Sequence, residues 1–232
     1  MKAIAIIPAR GGSKRVPRKN LRMVAGRPLV AWSIRSAMES KLLSEVWVST
    51  DDPEIAEVAD RNGAGVIKRP PEISGDFDRI EDALLHAMGE IKLAPADIVV
   101  TLQPTSPIRA EGLIDRCIKR LTDNRNIYSV ITVRPAGVVW GQHKDYTIQT
   151  LQWVNQFGGM QIPQSQNWNP DYERFSEDGS VFVTQAKALK ERRDRRCKPV
   201  DLVVNQWTPD IDEESDLRIA ESILRAREGV PA

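Results

Sequence analysis

Cysteine and histidine are scarce in this chain. Two of each occur, Cys117, Cys197, His86 and His143, and they share no metal-ligand spacing. Zinc patterns and a disulfide framework are therefore excluded, and a reducing, cytoplasmic setting is expected. A charge excess is also missing. Lys and Arg number 33 against 32 Asp and Glu, a formal net charge of +1. That balance speaks against a general nucleic-acid or membrane binder. Long apolar runs are absent as well. Nothing approaches a membrane span, and the apolar run at the N-terminus is too short for a signal-peptide core.

What is present alternates. AIAIIP (3–8) reads as a buried central strand. PLVAWSIRSAMES (28–40) carries a helical stripe with Pro at its start, and EVWVSTDD (45–52) is a second strand. A helix with an Asp-Pro start and a Gly stop (52–63), a short strand (65–69) and an amphipathic helix (79–92) follow. Then come a strand (97–107), a helix (110–124) and a strand (128–135). This is the grammar of a Rossmann-like α/β fold: an open, mostly parallel sheet with helices on both faces. From about 134 to 176 the alternation breaks, and Trp140, Trp153 and Trp168 appear. That stretch reads as an inserted arm, with aromatics suited to a subunit contact. Strand (179–184), basic helix (186–196), strand (200–205) and a last helix (216–227) complete one domain over 1–232. The run KERRDRRCK (190–198) reads as a solvated helix face.

Ligands of such sheets bind at the carboxyl ends of the strands. Three segments there carry chemistry. In IIPARGGSKRVPRKN (6–20), two glycines and five cations, Arg10, Lys14, Arg15, Arg18 and Lys19, follow the first strand. A glycine-rich turn can aim N–H groups at phosphate oxygens, and the cations add charge. The spacing matches neither the dinucleotide fingerprint nor the P-loop. A solvated basic loop is the alternative. In PDIDEESDL (209–217), alternation puts Asp210 and Asp212 on one side, a pair suited to Mg²⁺. The alternative there is an acidic cap for the last helix, with Ser215 or Asp216 capping. In LQPTSPIR (102–109), Gln103, Thr105, Ser106 and Arg109 suit the reading of a base or sugar, or simply decorate a turn.

Together, IIPARGGSKRVPRKN, STDDPEIAEVA, LQPTSPIR, EDGSVFV and DIDEESDL resemble, in order and over nearly the whole chain, the CMP-acylneuraminate synthetases, with looser likeness to the Kdo cytidylyltransferases. The resemblance implies that CTP and a 2-keto-3-deoxy sugar acid yield a CMP-sugar and pyrophosphate. It implies that Arg10 and Lys19 hold the triphosphate, Lys19 near the α-phosphate, with Gly11, Gly12, Ser13 and Asn20 completing the cradle. Arg69 matches a nucleotide-side arginine, Gln103 a sugar contact, and Asp210 and Asp212 the Mg²⁺ ligands. A homodimer with a protruding arm is implied too.

The chain departs from that pattern in places. SGDFDRIEDAL (74–84) replaces a Ser/Thr-rich patch, Met160 stands where the arm has an arginine, and GVVWGQ (137–142) stands where a lysine is expected. Those arm cations meet the sugar acid's carboxylate in the family, so another nonulosonic acid, Kdo or a different acceptor enters consideration. From a different class, the alternative is a catalytically silent nucleotide-binding protein whose arm binds a partner.

Overall fold

In the computed structural model, which describes residues 1–135, 175–205 and 208–229, the first strand β1 (Ala3–Pro8) lies inside a sheet of seven. It pairs in parallel with β4 (Glu45–Thr50) on one side and β6 (Ile98–Thr101) on the other. With β5 (Gly65–Lys68), β7 (Ser129–Pro135), β8 (Phe175–Gln185) and β9 (Val200–Val204), the order is β5-β4-β1-β6-β8-β7-β9. Within this sheet, as described, β8 alone runs antiparallel to both its neighbours. The mostly parallel α/β sheet read from the sequence is therefore present.

Period-two alternation sorts the apolar side chains. Ala3, Ala5 and Ile7 of β1, with Val46 and Val48 of β4, face α1 (Leu29–Met38), α2 (Pro53–Arg61) and α4 (Leu113–Asp123). Ile6 and Val99 face the other way, toward α3 (Ile80–Glu90) and α5 (Ala186–Arg192). Helices thus cover both faces. α2 starts where Asp52 accepts hydrogen bonds from the N–H groups of Glu54 (2.8 Å) and Ile55 (3.2 Å), with Pro53 at its first position. The last helix, α6 (Glu214–Glu228), packs beside a small hairpin, β2 (Met23–Val24) and β3 (Arg27–Pro28).

Two sequence readings change. The basic helix ends at Arg192, because Arg193 turns into the left-handed region at φ 52°. Beyond it Arg193 and Lys198 are exposed, but Arg195 and Arg196 leave the solvated face. Arg195 is buried and pairs with buried Glu81 at 2.6 Å, over the ring of Phe182, while Arg196 grips Glu177 with two bonds of 2.6 and 2.7 Å. The cause is α3, which presents Glu81 to the run across the sheet's outer layer. The second change is β8, which starts earlier than expected, with Arg134↔Ser176 and Pro135↔Phe175 paired across from β7. Both ends of the expected arm are thus strand. Its remainder, with the three tryptophans and Met160, lies outside the described residues.

Candidate active site

β1 has β4, the next strand of this sheet in the chain, on one side and β6 on the other, so the loops after β1 and β6 diverge and leave a crevice. Three loops line it, and each has an apolar residue at its centre. Val16 of the basic loop, Ile108 of the Gln103 loop and Ile211 between the two aspartates are at most 1% exposed and pack in one cluster with Leu29 and Trp32. Burying these three side chains holds polar groups far apart in sequence at one rim. Each contributes on the order of 1.5–3 kcal/mol.

At that rim Lys19 Nζ bonds the carbonyl of Ile211 and lies 3.6 Å from Asp212 Oδ1. Lys19 is 8% exposed, so little water competes for its ammonium. Asp210 is exposed at the crevice mouth, yet its carboxyl is closely flanked by protein. Lost hydration raises its pKa, and the charge of Asp212 adds to the rise, against hydrogen bonds from Thr105 and Ser106 and the charge of Lys19. Asp216 accepts from the N–H groups of Glu213 (2.8 Å) and Asp212 (2.9 Å), while Glu213 is the N-cap of α6. The capping role thus falls to Glu213 with Asp216, not to Ser215, and it leaves Asp210 and Asp212 free of it.

The glycine turn is tightly seated. Gly11 N–H donates to Asp51 Oδ1 at 2.9 Å, and a Cβ on Gly11 would lie 2.6 Å from Asp52 Oδ2. Only glycine passes so close to the end of β4. A Cβ on Gly12 would meet nothing within 4 Å, so Gly12 faces open space. Among the described residues, the N–H groups of Gly12 and Ser13 have no hydrogen-bond acceptor, and both remain available to a ligand. Asn20 Nδ2 donates to the Arg10 carbonyl at 2.9 Å and braces the turn. Arg10 itself contacts Gly75 O (2.6 Å) and Asp76 (3.0 Å).

Arg69 is buried beneath the loop, donating to Ser49 Oγ (3.1 Å) and Ser49 O (2.6 Å). Burial lowers its pKa, with the charge of Asp51 opposing and that of Arg10 adding to the fall. The side chain of Gln103 lies over Gly179, where a Cβ would stand 2.9 Å from its Oε1 and 3.2 Å from Ser106 Oγ. Gly179 adopts φ +70°, so both its conformation and its contacts require glycine.

Arg109 is not a ligand-reading cation. Its Nε donates to Ser180 O (3.0 Å), Nη1 to Ser33 Oγ (3.0 Å) and Nη2 to Gln103 O (2.8 Å). Burial drops its pKa to about 10, against the charge of Asp178. It is a clamp that ties the Gln103 loop to β8. Beside it Asp178, also buried, accepts from Thr132, from Ser180 N–H (2.9 Å) and from Asn205 Nδ2 (2.8 Å). In the sequence Asp178 and Gly179 stood within the motif EDGSVFV, with no role given to either. The Asp-Gly pair within EDGSVFV was the available signal, since such a pair inside a strand marks a close approach. Cys117 and Cys197 are buried free thiols raised by burial to about 12 and about 11, so neither supplies a thiolate.

An open α/β sheet with a cationic glycine turn after its first strand, faced across the crevice by paired carboxylates, is an α/β arrangement suited to phosphate groups. Comparison with known proteins narrows the class. The family model described as "Cytidylyltransferase" matches residues 4–152. The chain is 36% identical to pseudaminic acid cytidylyltransferase of Campylobacter jejuni and 30% identical to CMP-N,N'-diacetyllegionaminic acid synthase of Legionella pneumophila. Each match covers 97% of both chains. It is 31% identical to N-acylneuraminate cytidylyltransferase A of Danio rerio over 95% of its own length, and spans only 50% of that fish protein. The fold matches a solved CMP:2-keto-3-deoxy-manno-octonic acid synthetase complexed with CTP, at a TM-score of 0.73 and 19% identity, over 98% of this chain and 100% of that one. The chain belongs to the cytidylyltransferase family.

Proposed function

We propose that the chain is a cytidylyltransferase joining CTP and a 2-keto-3-deoxy sugar acid to give a CMP-sugar and pyrophosphate. The observation that carries this reading is the meeting of Lys19 with Asp212, 3.6 Å apart across most of the sequence, beside Asp210. A cation and a carboxylate pair at one strand-end crevice suit a nucleotide's reacting phosphate. The names of the relatives, all cytidylyltransferases or CMP-sugar synthases, support the same reaction.

The sugar's anomeric hydroxyl attacks the α-phosphorus in line. An O–P bond forms, the bond to the bridging oxygen breaks, pyrophosphate leaves, and the hydroxyl proton passes to solvent. Lys19 neutralises charge on the α-phosphate in this low-water corner, and Arg10 holds the phosphates beyond it. Gly11, Gly12 and Ser13 supply the backbone cradle, with the open N–H groups of Gly12 and Ser13 as donors. Asn20 holds the turn in shape, and Arg69 supports it from below at the nucleotide side. Gln103, braced by Arg109, faces the sugar.

Asp210 and Asp212 fit Mg²⁺. The charge of Asp212 reaches the carboxyl of Asp210, and no third acidic, His or Cys ligand joins them among the described residues. Two carboxylates with positions left for water and phosphate oxygens suit that ion, which supplies further charge neutralisation when bound. A cytoplasmic homodimer, with the 134–176 arm reaching the partner, completes the reading.

Pyrophosphate release with CTP, Mg²⁺ and a panel of neuraminic, legionaminic, pseudaminic and Kdo-type acids tests it. Release with one member is the expected result and names the acceptor. CTP binding without release for any acid would instead favour a silent nucleotide-binding protein.

A further inference from the structure

The five cations of the basic loop all have carboxylate partners. Arg10 and Lys14 share Asp76 at 3.0 and 2.5 Å, Arg15 and Lys19 share Asp212 at 3.2 and 3.6 Å, and Arg18 takes Asp52 (3.5 Å) and Glu54 (2.8 Å). Two acids therefore neutralise four of the five. They differ in what a nucleotide brings them. Asp212 would have Mg²⁺ to turn to where that ion is bound, and Lys19 and Arg15 could then pass to the phosphates without leaving an anion stranded. Asp76 has none, and any phosphate reaching Arg10 and Lys14 meets its charge.

We propose that Asp76 is a specificity-determining residue that competes with the pyrophosphate end of the nucleotide for Arg10 and Lys14, while leaving the α-phosphate corner at Lys19 unaffected. This rests on the reading of the loop as a triphosphate cradle. The competitor is built rather than incidental. Gly75 O accepts from Arg10 at 2.6 Å, Gly75 N–H donates to Asp78 Oδ2 at 2.6 Å, and Ser74 Oγ donates to Pro70 O at 2.9 Å. These bonds present the Asp76 carboxylate on a tight turn. Lys14, and then Arg10, hold it below the ordinary carboxylate range. The turn is also free to yield, because Phe77 beside it is 97% exposed and its displacement breaks no apolar packing.

A ligand that ends at the α-phosphate displaces nothing, whereas one with further phosphates must displace Asp76. The same contact re-forms once pyrophosphate leaves and so opposes its rebinding. The test is calorimetric titration of Asp76→Asn against the unaltered protein with magnesium pyrophosphate, CTP and CMP. Pyrophosphate and CTP are expected to bind about three- to tenfold tighter, the size of one or two exposed ion pairs, with CMP unchanged. The gain shrinks as salt is raised, since exposed pairs are screened.

Unchanged or weaker pyrophosphate binding in the variant would overturn the proposal, as would an equal gain for CMP. Asp78→Ala removes the acceptor of the Gly75 N–H and so loosens the turn, but keeps the Asp76 carboxylate. A gain there equal to that of Asp76→Asn would assign the effect to loop looseness and reject competition. If the unaltered protein bound none of the three ligands, the cradle itself would be refuted, a different failure from a cradle that binds without competition.

Discussion

Two arginine-rich stretches look alike in the sequence and behave oppositely in the fold. RGGSKRVPRK (10–19) and KERRDRRCK (190–198) carry comparable charge. In the first, most charged groups stay at a water-filled rim, with Lys14 and Arg15 side chains 81% and 71% exposed and their acids exchangeable. In the second, Arg195 and Glu81 are 8% and 5% exposed and locked together, with Arg195 over the ring of Phe182. The difference teaches that charge density does not mark a ligand site. What marks it is whether the counter-charge can leave. Exposed pairs contribute about 0–1 kcal/mol and exchange readily, whereas breaking a buried pair strands a charge.

Four substitutions would break or sharpen that contrast. Glu81→Ala has the largest expected effect, a loss of about 3–5 kcal/mol of stability in denaturant unfolding, because Arg195 is left buried without its carboxylate. Nucleotide affinity of the folded fraction should stay the same; a stable variant would show the two stretches to be alike. Lys19→Ala should cut pyrophosphate release by about 10²–10³-fold with little change in melting temperature. Unaltered turnover would remove Lys19 from its role.

Gly179→Ala comes next. It forces a side chain into the left-handed region and against Gln103, for about 1–2 kcal/mol of stability and a raised KM for the sugar acid. Retention of both would show that Gln103 does not depend on that approach.

The smallest effect concerns Asp210. Its folded pKa is raised, so the folded state binds its proton more tightly than the unfolded chain does. That contribution is full at acid pH and lost as pH rises through the folded pKa. Near neutral pH the ionised carboxylate is therefore a mild liability. Asp210→Asn should stabilise the metal-free protein slightly, by less than about 1 kcal/mol once solvent screening is allowed for. It should also reduce the rise in melting temperature that Mg²⁺ gives. An undiminished magnesium effect would argue against Asp210 as a ligand.

Much of the fold was legible because it rests on local periodicity. Helix and strand starts such as Asp52-Pro53, and the unbroken apolar run of β1, express short-range rules. The roles of individual polar residues were less so. Arg109 looked like a reader of ligands and is instead a clamp. The basic run is solvated at 190–193 as expected, but Arg195 and Arg196 within it knit α3 to β8. Asp178 and Gly179 stood within the quoted motif EDGSVFV but had no role of their own, because their partners, Thr132, Asn205 and Gln103, lie far off in the chain.

The amino-acid order alone determined the alternation of strands and helices, the cation-rich turn after the first strand and the acid pair near the end, since each depends on neighbours a few positions away. Only the tertiary structure decided which charges are exchangeable and which are locked, and that Asp76 rests on the loop's leading cations. Those outcomes depend on burial and on the approach of segments distant in sequence, set by where Val16, Ile108 and Ile211 pack together.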